Sequence, residues 1–130
     1  MNEIRKQLRA AISTGEVDAS GAFTAEFSLP AAFVGFQGHF PGTPVAPGVC
    51  VIAAVLEAVR DALGTPVQMK RLASAKFFVP IRPGDAITMN VTVDDITAPG
   101  QIRASFASAG KKVAQVSMRV QRGLQAQPNL

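Results

Sequence analysis

The residues with the strongest claim to chemistry form one run, Gly38-His39-Phe40-Pro41-Gly42-Thr43-Pro44-Val45-Ala46-Pro47-Gly48-Val49. His39 is the only histidine of the chain. An imidazole with an ordinary pKa, about 6.5, is suited to taking a proton at neutral pH. Three prolines and two glycines between residues 41 and 48 stiffen the loop that carries it. The loop feeds a helix at Gly48, and Pro47 and Gly48 suit a helix start, where a missing or unpaired N–H costs little. The Gly48 amide then points outward from the positive end of the helix. A base and an amide donor on one rigid loop can remove a proton beside a carbonyl whose oxygen gathers negative charge. The alternative is a loop histidine that only satisfies backbone groups, and the Pro/Gly frame favours chemistry.

The elements that must hold this loop follow from the periodicities around it. Ile4, Leu8, Ala11 and Ile12 recur at helical spacing and predict a short amphipathic helix over 2–13, ended by Gly15. Phe23, Ala25, Phe27 and Leu29 alternate with polar residues and predict a half-buried strand, stopped by Pro30. Residues 30–47 are expected to be loop. Residues 48–63 hold no internal Gly or Pro after Gly48, and their apolar surface covers most of the circumference, so a largely buried helix is expected. Gly64-Thr65-Pro66 ends it.

The rest reads as strands: 67–80, then a turn at Arg82-Pro83-Gly84-Asp85, then segments carrying Ile87 to Val93, Ile102 to Phe106 and Ala114 to Val120. One strand, a buried helix and a meander of antiparallel strands make an α+β layout, with a sheet wrapped around a long central helix. A single domain over 1–122 is expected, with a frayed tail over 123–130.

Bulk properties narrow the function. The net charge of +4 comes from scattered lysines and arginines, and all eight aromatics are phenylalanine. Nucleic-acid binders cluster their charge and add stacking rings, so no nucleic acid is expected. An acidic protein partner suits the excess charge as well as plain solubility does. One cysteine and one histidine leave no metal cluster and no internal disulfide. The longest apolar run, Val49 to Leu56, is too short for a bilayer, and the first residues lack a signal-peptide core. No membrane contact, a cytoplasmic setting and no cofactor are expected. So apolar a small domain also suits a homo-oligomer.

The run from Gly38 to Val49 resembles the characteristic segment of the (3R)-hydroxyacyl-ACP dehydratases, and Lys76-Phe77-Phe78-Val79-Pro80-Ile81-Arg82-Pro83-Gly84-Asp85 resembles the same family's strand and turn after the central helix. The likeness covers roughly residues 21–120. It implies a hotdog fold, a homodimer or higher homo-oligomer with two sites per dimer, and an acyl group carried as a thioester on acyl carrier protein or coenzyme A. It implies His39 as base and the Gly48 N–H as the donor to the thioester carbonyl. It further implies an acyl tunnel along the helix between subunits, with Phe40, Val45, Pro47, Val49, Ala53 and Phe78 as lining residues.

One departure matters. The family carries an acid on the central helix fourteen residues beyond the histidine, where it helps the β-hydroxyl leave; here that position is Ala53. The nearest carboxylate is Glu57, one turn on, which either supplies the acid directly or through water, or pairs with Arg60 or Arg103 on the surface. Asp61 is further away, Cys50 reads as a buried thiol, and Asp85 as a turn-former. Three functions therefore stand open: a dehydratase, an acyl-binding subunit without turnover, and a hotdog acyl thioesterase.

Overall fold

The computed structural model describes residues 3–37, 42 and 44–123. Helix α1 (Glu3–Ala11) leads into a two-residue strand β1 (Ser13–Thr14) and strand β2 (Ala22–Phe27). A short 3₁₀ helix (Val34–Phe36) precedes the long helix α2 (Gly48–Leu63), and strands β3 (Val67–Phe77), β4 (Ile87–Val93), β5 (Gln101–Ser108) and β6 (Lys111–Arg122) complete the chain. The strands form one antiparallel sheet in the order β1-β2-β4-β5-β6-β3, which leaves one edge of β3 free. No helix among the described residues is long and apolar enough to cross a membrane.

The period-two pattern puts one face of the sheet against α2. Phe23, Ala25, Phe27, Met89, Val91, Ala104, Phe106, Val116 and Met118 are all buried. One inward row runs Ala25, Met89, Phe106, Ala114 and Phe77 across five strands by direct pairing. From α2, Cys50, Val51, Ala54, Val55, Ala58 and Val59 fill the space opposite. Full burial of a valine such as Val55 or Val59 contributes about 1.5–3 kcal/mol. This α+β sheet curled around a central helix is the hotdog arrangement expected from the sequence.

Helix α2 starts and stops where the sequence places it. Its C-terminal glycine, Gly64, has φ of 62° and donates its N–H to Arg60 O at 2.9 Å, a left-handed cap that glycine adopts without a Cβ penalty. The expectation of a largely buried helix holds for one face only. On the outer face Val49 is 68% exposed, and Ile52, Ala53, Leu56 and Leu63 are half-buried. Helix α1 begins at Glu3 and ends at Ala11, two residues short of the expected end, because β1 takes over at Ser13.

Part of the expected loop over 30–47 is structured. Phe33 and Phe36 pack edge-on, 5.4 Å between centroids, and both are buried. Gly123 also belongs to the body rather than the tail: it is buried and donates to Pro66 O at 2.8 Å. The rest of the expected tail, 124–130, lies outside the described residues.

Candidate active site

The first turn of α2 has no side-chain cap. Pro47 precedes it in extended conformation (φ −63°, ψ 153°), and its carbonyl accepts from Cys50 at 2.9 Å and Val51 at 3.3 Å. The Gly48 and Val49 amides have no acceptor among the described residues. Together with the helix dipole, two free donors make this end a place for a developing negative charge.

In front of it lies a cavity of about 400 Å³, walled by Val45, Pro47, Gly48, Val51, Phe77 and Phe78, with no titratable group among the described residues of its lining. Two features of the sheet build the wall opposite α2. A register shift between Phe106 and Ala107 in the β5–β6 pairing leaves Val113 as an extra residue. Its carbonyl accepts the amides of Phe78 (2.8 Å) and Val79 (3.3 Å), so the chain stays attached to the sheet past the end of β3. Ala46 N–H then donates to Ile81 O at 2.8 Å, tying the loop before α2 to that same segment.

Gly48 lets the helix start and the Phe77 ring come close. A Cβ at this position would lie 2.9 Å from the Phe77 ring, closer than side chains pack. The ring of Phe77 thus rests directly on the helix start. Burial pushes the Cys50 thiol above its usual pKa, and its side chain is covered, so it stays a protonated core thiol. Asp85 is a turn-former: its Oδ2 accepts the Arg82 N–H at 2.9 Å.

Of the residues expected at the site, Gly48, Val45, Pro47 and Phe78 meet around the cavity. Val49 and Ala53 do not line it; they lie on the outer stripe of α2. His39 and Phe40 lie outside the described residues. Sequence reasoning missed Phe77 and Val51. The signal for Phe77 was present: two consecutive phenylalanines on a strand point to opposite faces, and its alternation with Ala75 marks Phe77 as the inward one.

Glu57 needs a correction. It is 2% exposed, not on the surface, and Arg103 is not its partner. Its Oε1 accepts from Arg5 Nε at 2.7 Å and from Arg60 Nη1 at 3.1 Å. Oε2 lies 3.8 Å from Arg9 Nε and accepts no hydrogen bond among the described residues. Arg5 and Arg9, one turn apart on α1, reach the same carboxylate, while Arg60 also donates to Val67 O at 3.0 and 2.8 Å. Burial, and after it the charge of Arg5, hold the Arg60 guanidinium below its usual range. A carboxylate that locks α1, α2 and β3 together is engaged as an anion, and it does not border the cavity. Asp61 is likewise occupied, accepting from Thr14 Oγ1 at 2.5 Å.

The fold and the open helix end define a hotdog protein with an apolar cavity at the start of its central helix. Residues 15–119 match the ApeI-like family, described as ApeI dehydratase, and the chain belongs to that family. Among curated relatives, the 3-hydroxyacyl-[acyl-carrier-protein] dehydratase FabZ of Oenococcus oeni is 42% identical over 71 residues, covering 47% of this chain and 49% of that protein. The FabZ of Enterococcus faecalis is 35% identical over 91 residues, 64% of each chain. The chain thus spans between half and just under two thirds of these relatives' length. A solved structure of the dehydratase heterocomplex ApeI:P from Xenorhabdus doucetiae superposes with a TM-score of 0.70 at 21% identity, over 80% of this chain and 90% of that one. The PaaI protein of the E. coli phenylacetic acid degradation operon does so at 0.64 and 17%, over 87% and 80%. At these identities the likeness is one of fold.

Proposed function

We propose that this chain binds a 3-hydroxyacyl thioester, carried on acyl carrier protein or coenzyme A, and interconverts it with the trans-2-enoyl thioester and water in a cytoplasmic setting. The observation that carries this reading is the pair of free amides at the head of an apolar cavity. The Gly48 N–H donates to the thioester oxygen as charge gathers on it. His39, nine residues upstream, takes the proton from the carbon beside the carbonyl. The β-hydroxyl then leaves as water, taking a proton.

That last proton has no donor at position 53. General-acid help is worth about 10²–10⁴ in rate, so its loss slows this step without abolishing it. Water, or a carboxylate on a second subunit, supplies the proton. The outer stripe of α2 and the free edge of β3, where Met69 is 41% and Leu72 39% exposed, are the surfaces a second hotdog subunit would cover. We take a homodimer as the working assembly. The second reading, an acyl-binding subunit that does not turn over, is favoured by Ala53 alone.

Purified protein mixed with 3-hydroxyacyl and trans-2-enoyl thioesters decides between them. A change in enoyl absorbance without release of free thiol is the expected result. Thiol release would make it a thioesterase, and binding with neither change would leave the non-catalytic subunit. His39→Ala is expected to remove the enoyl signal. Ala53→Glu should raise the rate, and no rise would mean the acid is already supplied from elsewhere.

A further inference from the structure

The ring of Phe78 carries a cation. Lys112 Nζ sits 5.7 Å from its centroid, and the ring itself lines the cavity. Ring and lysine share one piece of backbone, since Phe78 N–H donates to Val113 O and Lys112 is the residue before Val113. The lysine stands at the start of β6, after a tight turn in which Ala109 and Gly110 both have positive φ. Among the described residues no carboxylate lies within ion-pairing distance of Lys112 or of Lys111 beside it. Along the sheet, Lys112 pairs with Ala107, Ala107 with Thr88, and Thr88 with Glu26. The acid in that row is thus three strands away, about 14 Å. The ammonium thus lies beside a ring that lines the cavity, with no carboxylate in ion-pairing distance among the described residues.

We propose that Lys112, held over Phe78, binds the phosphoryl group of the pantetheine arm on which the acyl group arrives. This rests on the thioester reading given above. With the carbonyl at the Gly48 amide and the acyl chain among apolar residues, the arm must leave past Phe77 and Phe78. Among the described residues the cavity lining holds no polar side chain, so the anchor nearest to that wall is the cation over Phe78, and the first anion on the arm is its phosphate. Lysine binds phosphate as a compact point charge. Contact with a ring restricts the side chain before the ligand arrives. Coenzyme A and the carrier protein share this phosphate, so the subsite serves either.

The decisive probes are an acyl-pantetheine and the matching acyl-4′-phosphopantetheine, which differ by one phosphate and carry neither nucleotide nor protein. The wild-type chain is expected to show a KM about five- to tenfold lower for the phosphorylated probe, with kcat equal for both. Lys112→Ala should erase the difference by raising the KM of the phosphorylated probe alone, and Lys112→Arg should restore most of it. Equal KM values in the wild type, or a preference that survives Lys112→Ala, overturn the proposal. A Lys112→Ala effect seen with coenzyme A thioesters but not with acyl-4′-phosphopantetheine would reassign the lysine to the nucleotide. One seen only with carrier-borne substrate would reassign it to the carrier's surface. If neither probe is turned over, the dehydratase reading fails, and the same preference read as a Kd by calorimetry still decides the subsite.

Discussion

At its first turn α2 has no side-chain cap, two amides without acceptors among the described residues and an apolar cavity in front of them. Nine residues after Gly48 the same helix presents Glu57 to three arginines, ties Arg60 to the start of β3, and closes on a left-handed glycine. One end leaves hydrogen-bonding capacity open, and the other uses nearly all of it on the protein itself. Polar groups that a fold leaves unsatisfied next to apolar walls are available to a ligand, whereas satisfied ones hold the scaffold that aims them.

The largest effect should come from the open end. Gly48→Pro removes the N–H at a position where proline is compatible with a helix start, while Gly48→Ala adds the same Cβ against Phe77 and keeps the donor. Turnover of the enoyl thioester should fall by about 10²–10³ more in the proline variant than in the alanine one. Equal losses would mean that the space, not the amide, matters there.

At the closed end the loss should appear in stability. Glu57→Ala removes the carboxylate that three guanidinium groups share, and about 3 kcal/mol of folding free energy should disappear in urea titration. This is the low end of the range for buried pairs, because Arg5 and Arg9 reach solvent. A variant that folds as well as the wild type but turns over more slowly would return Glu57 to the chemistry.

A smaller change, about 1 kcal/mol, is expected for Gly64→Ala, which meets no atom but must hold a positive φ. Thermal unfolding would register it, with activity unaltered. The weakest effect concerns Cys50. Its burial outweighs the helix dipole and keeps the thiol protonated, so alkylation at pH 8 should be slower in the native chain than in the urea-unfolded one. Rapid native alkylation would place a reactive thiolate at the open end beside the amides.

The helix that carries this comparison was legible to the residue at both ends, because Pro47-Gly48 and Gly64-Thr65-Pro66 are local signals. The existence of β4, β5 and β6 was legible too, from alternation that only the extra residue Val113 interrupts. Arg60 was legible as a partner of Glu57, three residues on along the helix, but Arg5 was not, since it lies 52 residues away and its approach depends on how α1 docks. Phe77 could have been found from its alternation with Ala75, which pairing with β6 places on the inward face. The short 3₁₀ helix at Val34–Phe36 depends on two rings finding each other, which no spacing rule encodes.

Strand β3 ends the sheet with Lys70, Arg71 and Lys76 along it, and no Asp or Glu occurs between Asp61 and Asp85. Two copies laid edge to edge would therefore bring like charges together, with only greasy side chains to draw them in. Dissolved salt, which loosens most contacts between charged surfaces, would tighten this one by damping the mutual repulsion.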